Sequence, residues 1–414
     1  MFNTLREHSK IVVIIVAVAF VATGALMGFG SYLNNGMGGD GGQQGNQNIA
    51  SVNDEDISQR EFLNVLQNQA SQVSNLSGSQ LLDFRLSILN SIIERKLILQ
   101  KAEEMGISVE VSEEEVQNTI DEILDNYDMT EDELVSNLES QGYDMDDFKK
   151  DLRNDIRQNN IVDKTRETTY DNINVSEEEI KEEFEALKED ESEDIEYEEE
   201  KEDIENKLLQ QKQDEAFNNW LDDVKSESDI TIYDPVLRGV NAYQEEQYDV
   251  AIENFNEVFE NSESPGEGVY IYLAKSYHAK EDTEKAIEIF DEGMEEYSTS
   301  WDLHLNLADL YVDMEENEKA IEHYDEASEL VSENYVAHYQ LYMGYTEAGA
   351  PEKAEEQMQK IQELSMQQQM GGDQQQQQVP RTEEQQSDEI PDNTEEMDED
   401  INENDINNEI DNDE

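Results

Sequence analysis

The second half of the chain repeats itself every 34 residues, and a period of that length admits few folds. Small residues recur at Ala251, Ala286, Ala320 and Ala354, spaced 35, 34 and 34 positions apart. A second series falls in step at Gly239, Ala274 and Ala308, with an aromatic at Tyr277, Tyr311 and Tyr345, and bulky residues follow the first series at Phe255, Phe290, Tyr324 and Met358. A unit this short cannot bury its own apolar face. It must stack on its neighbours as a solenoid of at least about three units, and four are present.

This pattern closely resembles the tetratricopeptide repeat, in which each unit is a helix hairpin. Departures are Ala242 where the first repeat would carry its aromatic and Tyr342 where the fourth would carry a small residue. The resemblance implies about four repeats over residues 234–368 and a partner-binding inner face made by the first helix of each. Carried over by repeat position, that face includes Tyr243, Lys275, His278, Asp309, Tyr339 and Met343. The alternative for each is that it merely packs or solvates the groove. A clamp for a peptide carboxylate needs several basic or amide residues on this face, and Lys275 stands alone, so the groove should prefer apolar, aromatic or basic segments.

Upstream the chain reads as helical from Ile57. Phe62, Leu63, Leu66 and Ala70 share one face, and Leu82, Leu86, Leu89, Ile93, Leu97 and Ile98 mark a long helix that Gly106 ends. Ser112 with Glu115 and Ser176 with Glu179 are capping boxes, and further amphipathic pieces lie around Leu134–Leu138 and Phe148–Ile161. The order of these pieces, with the opening strand and turn at 49–58 and the stretch ISVEVSEEEV at 107–116, resembles the N-terminal chaperone domain of the SurA, PpiD and PrsA families. It covers residues 49–233. It implies an extracytoplasmic, membrane-tethered protein that holds unfolded clients.

Enzymatic members of those families insert a prolyl-isomerase domain after the helix that begins here near Ser176. Only an acidic stretch, residues 190–203, occupies that place, and it is expected to loop out. The closing helix follows, with Ile204, Leu208, Leu209, Phe217, Trp220, Leu221 and Val224 as its apolar positions, and then the strand Ile230–Tyr233. In the related families that strand pairs with the opening one. Isomerases of this type resemble one another in carrying active-site histidines, and none lies between His8 and His278. The expected fold class is therefore all-α with a minor two-stranded element, and the expected role is binding, not catalysis.

Ile11 to Gly30 is an uncharged, mostly apolar run of transmembrane length, so residues 11–33 are expected to form an anchor. Ala22-Thr23-Gly24 would suit a signal peptidase, but the run is longer than a usual signal core. Arg6 and Lys10 precede it, which puts residues 1–10 in the cytoplasm and the bulk outside the inner membrane. Residues 34–48 read as a flexible tether, and 369–414, rich in Gln, Asp and Glu, as a disordered tail.

The 104 acidic against 27 basic residues give a formal charge of -77, which excludes nucleic acid as a partner and suits a surface adapted to concentrated salt. With no cysteine, no phosphate loop and no calcium-loop spacing, neither a cofactor nor a metal nor a small-molecule substrate is expected. His278, His304, His323 and His338 sit at helical repeat positions, where packing roles outweigh ligation. The expected partners are unfolded or envelope proteins, and inner-membrane lipid through the anchor.

Overall fold

The computed structural model describes residues 48–69, 76–140, 142–170, 173–190, 196–262 and 264–376. The expected anchor, its cytoplasmic flank, residues 34–47 of the tether and all of the tail beyond residue 376 lie outside the described residues. Among the described residues no helix is long and apolar enough to cross a membrane.

The chain opens with a hairpin, β1 (Asn48–Val52) and β2 (Glu55–Ser58). Asn53 makes the reversal at φ 53°, a left-handed conformation that asparagine tolerates better than most residues. β3 (Ile230–Ile232) then pairs antiparallel with β1, Ala50 opposite Ile232 and Val52 opposite Ile230. The expected ladder between the domain's two ends is therefore present. It is a three-stranded sheet in the order β2-β1-β3 where two strands were expected, because the turn carries Glu55–Ser58 back along β1 and Ile57 into the same core as Ile49, Ala50 and Val52.

α1 (Gln59–Asn68) leads to α2 (Gly78–Glu104), the longest element of the N-terminal half before residue 150. Ser77 and Gln80 close a capping box at its start, and every apolar position read from the sequence between Leu82 and Ile98 is buried. Ile88, Ile92 and Arg85 are buried too, so α2 is covered on more than one side. α3 (Glu113–Asn126), α4 (Glu131–Ser140) and α5 (Met145–Thr168) form a satellite core of Val116, Ile120, Ile123, Leu134, Leu138, Phe148, Leu152 and Ile156.

Of the acidic stretch 190–203, which was expected to loop out, residues 197–203 are helical and residues 191–195 lie outside the described residues. α6 (Glu177–Asp190) and α7 (Tyr197–Ser226) form a hairpin, and residues 197–203 are the first turns of α7. Ile204 and Leu208 are apolar positions expected of the closing helix, and Tyr197, seven positions before Ile204, extends the same stripe back into the acidic stretch, where it meets Phe184 and Ile180. Tyr197 packs edge-on against Phe184 with ring centres 5.2 Å apart, while Lys201 pairs with Glu177 at 2.8 Å and Lys212 with Glu179 at 2.5 Å. Phe217 and Leu221 of α7 close on Ile98 of α2, and Trp220, only partly buried, stacks on Phe217.

The repeats follow as α8 (Pro235–Gln244) with α9 (Tyr248–Asn261), α10 (Glu267–Ala279) with α11 (Thr283–Glu296), α12 (Trp301–Asp313) with α13 (Asn317–Leu330), and α14 (Tyr335–Glu347) with α15 (Pro351–Gln376). The marker residues Ala251, Ala286, Ala320, Phe255, Phe290 and Tyr324 are all buried. Between the two helices of each hairpin one residue turns left-handed: Glu246, Glu281 and Glu315 at φ 59°, 64° and 61°, and Gly349 at 77°. Their spacing of 35, 34 and 34 residues is that of the alanine series. α15 runs to Gln376, past the expected start of the tail at 369.

The described residues up to Gln362 form one compact unit. A single core runs through it from Ile49 and Leu86 to Phe255, Leu305 and Tyr345, so α2 packs against the sheet and α1 on one side and against α8 and α10 on the other.

Candidate protein-binding surface

The first helices α8, α10, α12 and α14 lie side by side in that order. Their inner face is partly filled by the chain itself. The Gly78 N–H at the start of α2 donates to Glu267 Oε1 at 2.9 Å, and the Ser79 N–H and hydroxyl donate to Asp302 Oδ2 at 2.9 and 2.7 Å. Gln80 Nε2 donates to Gln340 Oε1 at 3.2 Å, so the first turn of α2 touches three repeats in succession. One turn on, Asp83 accepts from the Tyr272 hydroxyl and from Gln244 Nε2 at 3.0 Å. Gly78 and Gly268 make this approach possible: a Cβ on Gly268 would stand 2.4 Å from the Gly78 carbonyl oxygen.

The chemistry of this joint is that of a helix N-terminus. Its unpaired N–H groups and positive dipole end are met by two carboxylates, one of them, Asp302, almost fully buried. Asn306 Nδ2 donates to the other Asp302 oxygen at 2.9 Å. Burial raises the Glu267 carboxyl above its usual range, against the opposing effect of its Ser300 and Gly78 bonds. Arg85, buried on α2, faces Asp234 at 3.7 Å where the sheet gives way to the repeats.

The six residues expected on the inner face fall into two groups. Tyr243 is half-buried against Tyr272 and Tyr248, with ring centres 5.2 and 5.7 Å away, and burial raises its hydroxyl pKa. It is packing at the filled end. Lys275, His278, Asp309, Tyr339 and Met343 lie beyond the reach of the hydrogen bonds that hold α2 and have some surface open to solvent. His278 Nε2 lies 3.3 Å from Asp313, and Asp309 accepts from the Tyr324 hydroxyl at 2.6 Å. Asp309 has solvent access, yet burial among protein atoms raises its carboxyl, with Asp313 and Glu347 adding to the rise and the Tyr324 bond and Lys275 opposing it.

The sequence reading did not find the self-contact made by Ser77–Asp83 with Glu267, Asp302 and Gln340. The capping pattern Ser77 to Gln80 carries a local signal for a helix start but none for what caps the helix from outside. A second surface lies in the N-terminal half, a cleft of about 440 Å³ beside α2 lined by Val65, Ile92, Arg95, Leu99 and Gln158 among others. Its lining mixes apolar stems with Arg95, whose guanidinium pKa burial lowers.

The histidines take packing positions. His338 is buried between the Gln357 side chain and the Ser332 carbonyl at 2.7 and 2.9 Å. His304 and His323 face each other with Nδ1 atoms 3.3 Å apart, and burial lowers both pKa values. Among the described residues no group of three or more His, Asp or Glu is placed to hold a metal ion.

A family model described as the SurA-like N-terminal domain matches residues 1–162, and one described as the tetratricopeptide repeat matches residues 277–330. A search of curated proteins gave no significant match. Both matched domains are of kinds that generally bind proteins and do no chemistry of their own. The chain is thus a fusion of a SurA-like N-terminal domain with tetratricopeptide repeats.

Proposed function

We propose that this chain is a membrane-anchored, extracytoplasmic, chaperone-like protein of the bacterial envelope that binds unfolded proteins without isomerase activity or any other catalysis. The observation that carries this reading is the open end of the inner face, where Tyr339 and Met343 stay about half exposed on a compact unit whose core is continuous with the SurA-like domain. Exposed apolar side chains grouped on one helix of an otherwise acidic surface suit transient contact with apolar client segments. The run Ile11 to Gly30 supports the anchor, with positive charge only before it. α6 and α7 follow one another within seven positions, Asp190 to Tyr197, which leaves no room for an inserted catalytic domain. The test is suppression of aggregation of several unrelated unfolded proteins by the purified full chain in detergent or nanodiscs. Failure with all of them would overturn the reading.

A scaffold for one envelope complex is the second reading, and the partial filling of the groove by α2 favours it, because the remaining strip is small enough to select one segment. Crosslinking in native membranes separates the two: many captured proteins support the holder, and one stoichiometric partner supports the scaffold. Protease added to cells with an opened envelope should digest the repeats. Protection of the repeats there would overturn the topology.

A further inference from the structure

Positions related by the repeat can be compared one by one along the inner face. At the register of Ile271, Leu305 and Tyr339, the first two residues are 0% and 3% exposed and the third is 48% exposed. At the register of Val240, Lys275, Asp309 and Met343, exposure rises from 0% at Val240 to 50% at Met343. Val336 is 45% exposed, whereas Gly268 and Asp302 at its register are covered by the first turn of α2. The chain's own helix therefore covers much of the inner face in the earlier repeats and its Gln80 reaches Gln340 in the fourth, while exposure begins at Asp309 in the third repeat and is greatest at Val336, Tyr339 and Met343 in the fourth.

The open end has a definite chemistry. Val336, Tyr339 and Met343 recur at three- and four-residue steps and so stand on one face of α14. Asp309, Asp313 and Glu347 lie close enough for the charges of the last two to raise the first. Lys275 is the one basic residue at these registers, and His278 nearby already faces Asp313 at 3.3 Å. An acidic segment would be repelled there. A purely apolar one would strip water from the remaining oxygens of Asp309 and Asp313, whose other contacts are to Tyr324 and His278, and from Glu347, which costs free energy. A segment with an apolar side chain beside a lysine or arginine meets neither penalty.

Resting on the proposed binding role, we infer that the open strip of the inner face, Asp309, Asp313, Val336, Tyr339, Met343 and Glu347, docks short unfolded segments in which a basic residue adjoins a bulky apolar one. The first turn of α2 forms the closed end of the strip and limits the occupant to a short segment. The polarity is the reverse of a groove built to hold a peptide carboxylate, and it gives a chain of this charge a way to prefer cationic stretches of its clients over its own acidic surface.

The experiment measures anisotropy of labelled ten-residue peptides with the full chain in nanodiscs. One peptide alternates Arg or Lys with Leu and Phe, and two others replace the basic residues by Gln or by Glu. The basic peptide is expected to bind roughly tenfold more tightly than the Gln peptide, and the Glu peptide not at all. The double variant Asp313→Asn, Glu347→Gln and the double variant Tyr339→Ser, Met343→Ser should each weaken the basic peptide by about tenfold, while Glu295→Gln on α11 should leave it unchanged. Each variant is checked by its melting temperature, and all the substituted side chains are exposed. Equal binding of the three peptides, or binding of the basic peptide that neither double variant reduces, overturns the inference. If the chain still suppresses aggregation in that case, the proposed function stands and only the site falls.

Discussion

Glu246, Glu281 and Glu315 hold backbone conformations that suit glycine, and the fourth repeat has Gly349 in their place. A side chain at positive φ costs about 1 kcal/mol, partly offset on replacement by the greater unfolded-state freedom of glycine. The triple variant E246G/E281G/E315G should therefore gain about 1 kcal/mol and melt a few degrees higher; an unchanged or lower melting temperature would show the glutamates are compensated elsewhere. The histidine pair sets a pH dependence of definite sign. Burial holds His304 and His323 below the ordinary value of 6.5, so the folded chain binds fewer protons than the unfolded one just below that pH. Their contribution is present above about pH 6.5 and is lost as pH falls toward the folded values. The urea midpoint should fall between about pH 7.5 and about pH 5.5, and fall less in H304Q/H323Q; equal drops would remove the pair as the cause. At this scale the alanine and aromatic markers were legible because packing demands a small residue opposite a large one. The left-handed glutamates were not, since nothing in their chemistry announces positive φ.

At the scale of elements, the α2 joint shows why local patterns stop short of the site. The apolar stripe of α2 is legible from Leu82 to Ile98, but the same residues cannot say that Gly78 and Ser79 will meet Glu267 and Asp302 some 190 and 220 positions later. The acidic stretch before Ile204 was misread for the opposite reason. Its charge density was weighed and its helical spacing was not, and Lys201 and Lys212 pair with Glu177 and Glu179 to relieve the repulsion; the Lys212 contact comes first among the causes that lower the Glu179 carboxyl to about 2. The joint makes a direct test. Asp302→Ala leaves the Ser79 N–H and hydroxyl without their buried acceptor and the Asn306 amide with only the backbone carbonyl of residue 302, and should cost about 3 kcal/mol. Its readout is the urea midpoint of the full chain, with faster exchange of the amide hydrogens of Gly78 and Ser79. A loss below about 0.5 kcal/mol would mean that water replaces the carboxylate and that the joint is not specific.

Across the whole molecule, the core crosses residue 233 without a break, since Leu86 and Leu89 of α2 belong to the same cluster as Phe255 and Leu305. Two recognisable sequence families therefore make one packed body, which neither pattern alone could disclose. Unfolding should accordingly be a single transition for the SurA-like domain and the repeats; two well-separated calorimetric peaks would contradict the shared core. That body carries its share of a formal charge of -77, and most of its carboxylates are on the surface. Surface repulsion falls as the screening length drops from about 10 Å at 0.1 M salt to about 3 Å at 1 M. The unfolded chain spreads the same charges farther apart, so screening relieves the folded state more than the unfolded one. Exposed pairs such as Lys207 with Glu183 lose attraction over the same range, but each is worth little, and the excess of acid over base leaves most carboxylates with no cation to lose. The melting temperature of the single transition should therefore rise steadily from about 0.1 M to about 1 M KCl. A flat or falling curve would mean that local pairing outweighs net repulsion, and that the acidity is not an adaptation to salt.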